Sequence, residues 1–85
     1  MIEFAEDRPK WEQIAEVIRQ RITDGTYPPR TRVPSVQQIV EETGVAVDTA
    51  QKALRALRDE GWTYTVRGMG SFVTTEPPAA GPRNA

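Results

Sequence analysis

Two glycines, Gly44 and Gly61, bracket the stretch GVAVDTAQKALRALRDEG. Glycine takes the left-handed backbone that closes a helix, so the first ends one helix and the second stops the next. Between them Ala50, Ala53, Leu54 and Leu57 recur at spacings of three and four, an apolar stripe that predicts a helix over residues 46–60. Two of these four residues are alanines, and small side chains let a neighbouring helix approach closely. Upstream, Ser35 followed three residues later by Gln38 has the form of a capping box, opening a short helix that Gly44 closes with Ile39 and Val40 turned inward. A short helix joined by a tight turn to a second helix with a small inner face is a helix-turn-helix.

The flanking sequence adds a helix before this pair and a hairpin after it. Trp11, Ile14, Ala15, Ile18 and Ile22 form one helical stripe, with Asp7 as the expected N-cap, Pro9 in the first turn and Gly25 just beyond the end. A proline-stiffened connection, TYPPRTRVPS, leads to Ser35. After Gly61, WTYTV and SFVTT are rich in β-branched and aromatic residues and are separated by RGMG, which predicts a β-hairpin with a glycine at its tip. The domain organisation expected is an arm over residues 1–7, in which Ile2 and Phe4 can pack on the domain, a folded unit over 8–75, and a disordered proline-rich tail over 76–85. Three helices plus a two-stranded wing make a mainly α winged helix-turn-helix, with Trp11, Trp62 and Phe72 as core anchors.

Composition excludes several classes. Eighty-five residues, 38% of them hydrophobic, suffice for one small domain, and no apolar run approaches the length needed to cross a bilayer. The acidic start MIEFAED is unlike a signal peptide, and the absence of cysteine fits the cytoplasm. Without histidine or cysteine the chain lacks the usual zinc ligands, the commonest general base and the usual activated nucleophiles, so neither a metal, a cofactor nor an enzymatic activity is expected. The net charge is −1, with six acids against four bases in residues 1–24 and six bases against five acids in 25–75. Any basic surface therefore has to be created by folding.

The motifs WEQIAEVIRQRITDGTYPPRTRVPS, GVAVDTAQKALRALRDEGW and RGMGSFV, taken in order, resemble the N-terminal domain of the GntR family of bacterial transcription regulators. The resemblance spans Pro9 to Val73 and covers an aromatic-x-x-Ile helix, a Gly-x-aromatic-x-x-Gly-like link, a Leu-Pro-Ser-like helix start, a recognition-helix pattern and a glycine-rich wing. It implies a sequence-specific DNA-binding regulator, typically a repressor, with the helix over 46–60 in the major groove and the wing over 66–71 at the minor groove. The departures lie at implied contact positions. Gln37, Val47 and Gln51 stand where the family carries arginine, Ala46 where Ser or Thr caps the recognition helix, and Met69 where the wing tip often carries a base.

The DNA-binding residues expected from motif and spacing together are Ser35, Gln37, Val47, Thr49, Gln51, Lys52, Arg67 and Gly68, with Arg30 and Arg32 as further cations. Each also has a structural reading. Gln38 fits a cap better than a contact, Gln37 fits a solvated helix position equally well, and Thr49 either caps locally or meets a phosphate. Asp48 offsets the helix dipole or accepts from a cytosine. Lys52 and Arg55 pair with Asp48, Asp59 or Glu60 along the helix or reach phosphates. Gly68 supplies the positive φ of the turn and also lets backbone approach a sugar–phosphate edge. The expected partner is a pseudo-palindromic double-stranded operator, bound by a homodimer or with a partner protein, without membrane contact or a small-molecule effector pocket. The alternative is a winged helix that binds protein and ignores DNA. For the core, Leu54 is expected mid-stripe, its truncation costing about 2 to 5 kcal/mol.

Overall fold

Ile14, Ala15, Ile18 and Ile22 turn one side of the first helix into a continuous buried face, each no more than 6% exposed. In the computed structural model, which describes residues 3–78, this helix is α1 (Lys10–Thr23), followed by α2 (Val36–Thr43) and α3 (Val47–Asp59). A hairpin of β1 (Thr63–Val66) and β2 (Gly70–Val73) completes the order. Helix α3 packs against both α1 and α2, and its C-terminal end leads directly into β1. Ala50, Ala53 and Leu57 are fully covered there, so the small face expected from sequence is the face that lets three helices share one core. Ile2 and residues 79–85 of the expected tail lie outside the described residues.

Each helix end has a local cause, and one differs from expectation. Helix α2 has both bonds of the capping box: the Ser35 hydroxyl accepts from the Gln38 backbone N–H at 3.1 Å, and the Gln38 carbonyl oxygen accepts from the Ser35 N–H at 2.8 Å. Gly44 closes it in the left-handed region at φ 76°. Asp7 does not cap α1. Pro9 occupies the N-cap position without a side-chain bond, and the preceding loop is held from inside the helix. Buried Gln13 accepts from the Ala5 N–H at 2.8 Å and donates to the carbonyls of Ala5 and Arg8 at 3.0 Å each. Phe4 packs against the core beneath Lys10. At the other end of α1, the Thr26 hydroxyl and then its N–H donate to Asp24, holding that carboxyl below its ordinary pKa.

The connection between α1 and α2 does more than link them. Arg30 N–H donates to Val73 O at 2.8 Å, Val73 N–H to Thr31 O at 2.9 Å and Val33 N–H to Ser71 O at 3.0 Å. Residues 30–33 thus lie along β2 as a third, irregular strand, with Arg32 directly opposite Phe72. Arg30 enters this pairing at φ 69°, a left-handed conformation that costs a side-chain-bearing residue about 1 to 2 kcal/mol. It stands where the family link has its second glycine. Buried Val33 follows and fixes the strand to the core.

Three core expectations change. Leu54 is only partly buried, at the edge of the core, while Leu57 is fully covered. Trp62 is buried at 8% exposure, but Trp11 is half-buried at the rim, and Phe72 lies on the outward side of the hairpin, ring against Tyr64 at 6.1 Å. The antiparallel register explains this. Thr63↔Val73 and Thr65↔Ser71 face the helices, whereas Tyr64↔Phe72 faces away.

Leu57→Ala is expected to cost about 2 to 5 kcal/mol in urea unfolding, and Leu54→Ala distinctly less; equal losses would mean the stripe is misplaced. The Thr63 hydroxyl is buried without a partner among the described residues. Thr63→Val is therefore expected to raise stability by about 1 kcal/mol in the same measurement, and a loss would reveal an essential bond there.

Candidate nucleic-acid interface

The outer side of α3 is set by the burial of its inner side. With Ala50, Ala53 and Leu57 inward, Val47, Gln51 and Arg55 fall at i, i+4 and i+8 and form an outward row. Val47 opens this row half exposed, at 51%. Gln51, Arg55 and Arg58 then form one wall of an open cleft whose other wall is the helix-facing side of the hairpin, Thr65 and Ser71. Those two hydroxyls lie 3.4 Å apart across the strands. Val36 and Leu54 lie in the cleft between the walls. The cleft continues past Ser35 and Pro34 toward Met69 and Gly70 at the wing.

The wing tip is a turn in which the Met69 N–H donates to Val66 O at 2.9 Å. Gly68 has φ 79° and Gly70 φ 111°, both in the region side chains strain to enter. Arg67, Gly68 and Met69 project at the tip, all exposed, Met69 at 54%.

The structure therefore brings Ser35 and Gln51 to one cleft, with Arg67 and Gly68 at the hairpin tip beyond it, and separates others. Ser35 is occupied as the α2 cap, although its hydroxyl proton remains available to an acceptor. Gln37 is exposed on the first turn of α2, its amide 3.5 Å from Glu41. Thr49, partly buried, sits about 200° around α3 from Gln51 and so on the opposite flank. Lys52 does not pair with Asp48, Asp59 or Glu60. Its ammonium lies over the Trp11 ring, 5.0 Å from the centroid, on the side of α3 that faces α1. Arg55 has no ion pair among the described residues, and Asp59 and Glu60 are taken by Arg58 at 3.6 Å and Arg19 at 3.2 Å. Sequence reasoning missed Thr65, Ser71 and Arg58 as cleft residues; only the register of the hairpin reveals the first two.

The charges sort themselves by location. On α1, Arg8 is neutralised by Glu12 and Glu16 at 3.7 and 3.3 Å, and Arg19 by Glu60. Arg30, Arg32, Arg55 and Arg67 carry no ion pair among the described residues, and they lie on the connection strand, the outer row of α3 and the wing. Among the described residues, four of the five guanidinium groups without an ion pair thus lie beside the helix-turn-helix and its wing; the fifth, Arg21 on α1, bonds the Tyr27 hydroxyl at 3.1 Å. Among the described residues no group of metal-ligating side chains converges, and no helix is long and apolar enough to cross a membrane.

A helix-turn-helix with an exposed second helix and an adjoining hairpin defines the winged-helix class. The model for "Bacterial regulatory proteins, gntR family" matches residues 10–73, and the chain belongs to that family. It is 37% identical over 65 residues to the histidine utilization repressor of Pseudomonas putida, covering 76% of this chain and 26% of that protein. It is 31% identical over 70 residues to the arabinose metabolism transcriptional repressor of Geobacillus stearothermophilus, covering 82% and 19%. The chain spans about a quarter of the length of the first of these curated relatives. Among solved structures, a GntR family transcriptional regulator from Listeria monocytogenes superposes with a TM-score of 0.81 at 32% identity, over 86% of this chain and 64% of that one. AraR(DBD) in complex with operator ORR3 superposes at 0.76 and 32% identity, over 87% of each chain. These relatives are repressors and regulators of transcription.

Helix α3 starts without a side-chain cap. Ala46 already has N-cap geometry, at φ −68° and ψ 156°, but offers no acceptor to the first turn. Ala46→Ser is expected to raise stability by about 1 kcal/mol, read from the thermal midpoint; an unchanged midpoint would show that the first turn is satisfied by other means.

Proposed function

We propose that this domain is a sequence-specific reader of double-stranded DNA that regulates transcription in the bacterial cytoplasm. The observation that carries the reading is its likeness to AraR(DBD), a domain solved on its operator, across 87% of both chains. Helix α3 enters the major groove with Val47, Gln51 and Arg55, the N-terminal end of α2 braces Ser35 and Gln37 at the backbone, and Arg67 with Gly68 follows the minor-groove edge. Lys52 and Thr49 serve the α1 side of the helix, toward flanking phosphates. The arm over 1–7 and the tail over 76–85 flank the reading unit over 8–75. A module this small makes a modest interface, so useful affinity requires two copies on a pseudo-palindromic operator or a partner protein; occupancy of that operator represses. No effector pocket belongs to the unit over 8–75.

The letter read follows from the side chain presented. An arginine fork suits guanine O6 and N7, whereas glutamine offers one donor and one acceptor, which match adenine N7 and N6. With Gln51 and Gln37 at positions where the family carries arginine, the preferred site is poorer in guanine, with Gln51 on an adenine and Val47 against a thymine methyl. Fewer charges on the reading face also mean weaker nonspecific attraction.

Selection of bound sequences from a random duplex pool at moderate salt tests this reading. An enriched motif is expected. Gln51→Ala is expected to relax one base pair, worth about 1 to 3 kcal/mol, and Gln51→Arg to move that position toward guanine while raising affinity. A motif unchanged by both substitutions removes Gln51 from the interface, and a pool without enrichment favours the protein-binding winged helix instead.

A further inference from the structure

We infer that Arg32, which lies on the connection before α2 and outside the hairpin, is a second wing arginine held ready for the sugar–phosphate edge of duplex DNA; this rests on the DNA-reading function proposed above. Two features of the wing hold it. Its backbone lies opposite Phe72 as the third, irregular strand, and its guanidinium lies over the Phe72 ring, 5.7 Å from the centroid. A Cβ built on Gly70 would meet Arg32 Nε at 3.7 Å and Cδ at 3.9 Å. Gly70 and Phe72 are two residues apart on one strand and so share its outward side. The arginine arm therefore runs from Phe72 over Gly70, in the direction of the Arg67–Gly68–Met69 tip.

That placement has chemical consequences. The Phe72 face carries the guanidinium and the bare Gly70 backbone takes up Cδ and Nε, leaving the edge N–H donors of the fork free. No acid pairs with Arg32 among the described residues. Stacking restricts the side chain before any ligand arrives, so less rotamer entropy is lost when a phosphate or a narrow groove edge is met. If the residue served only to cover the ring, a neutral side chain of similar length would serve equally well. Met69 and Ser35 border the same cleft as Arg32, so this residue lies between the wing tip and the start of α2, both proposed backbone contacts. Arg32 is thus a phosphate-contacting residue, and Phe72 is its positioning residue.

The test uses a mixed-sequence DNA duplex titrated with the full chain from about 50 to 200 mM salt. Arg32→Met keeps an unbranched apolar arm beside Gly70 and removes the charge. The slope of log affinity against log salt is expected to fall by about 0.9, so that the variant loses roughly threefold less affinity than the parent across that range. Arg32→Gln, a second neutral variant, is expected to give the same reduced slope. Phe72→Leu leaves the charge but not the stack; it is expected to keep the parent slope and bind a few-fold more weakly, a split that loss of folding would not give. Parent-like slope and affinity in both neutral variants would overturn the contact. Parent-like affinity in Phe72→Leu would overturn the positioning role. If the unaltered chain shows no salt-dependent binding at all, the DNA-reading function itself fails, which is a separate result from failure of Arg32 alone.

Discussion

Close approach of α3 to α1 and α2 is the contact on which the rest of the molecule depends. Ala50 and Ala53 leave room for it, and Leu57 seals it, all three fully covered. Were these positions larger, α3 would stand off from the helices, and its outward row would lose its fixed relation to α2 and the hairpin. Close packing makes cores intolerant of added volume, so the inner face of α3 fixes the placement of Val47, Gln51 and Arg55. The buried Ile14, Ile18 and Ile39 supply the surface against which that face is pressed.

The wing is anchored by a different device. A two-stranded hairpin alone is marginal in water, and here β2 gains a partner on its other side from residues 30–33. That pairing ties the α1–α2 connection, the wing and the start of α2 into one piece. It also explains why an exposed, proline-rich stretch has a buried valine, Val33, at 2% exposure. Rigid attachment suits a contact surface assembled from three separate parts of the chain, because each part would otherwise have to be ordered on binding.

Helix placement was legible because its signals are local. Gly44 and Gly61, the Ser35–Gln38 box and the stripes of α1 and α3 each declare themselves within a few residues, and the bounds of α2 and α3 agree with them. What stayed hidden depends on partners far along the chain. The strand at 30–33 has two prolines just before it and a left-handed Arg30, which read as a loop. The side-chain cap expected of Asp7 is absent, and the loop before α1 is held by Gln13, whose amide reaches back eight residues to Ala5. The position of Lys52 on Trp11 joins residues 41 apart, and the outward turn of Phe72 needs the strand register. The candidate site divides the same way. Gln51 and Val47 follow from helical spacing, whereas Thr65, Ser71 and the orientation of Arg32 follow only from pairing.

The central claim is that the outer row of α3 and the wing form one DNA-reading surface, while the ion-paired face of α1 stays apart from it. Titration of the isotopically labelled chain with the duplex enriched by selection, followed by amide NMR, tests this most directly. The account predicts that amide signals of Val47, Gln51, Arg55, Arg67, Gly68 and Gly70 shift together with increasing duplex, and that those of Glu12, Glu16 and Arg19 remain in place. Shifts concentrated on α1, with α3 and the wing unmoved, would contradict it.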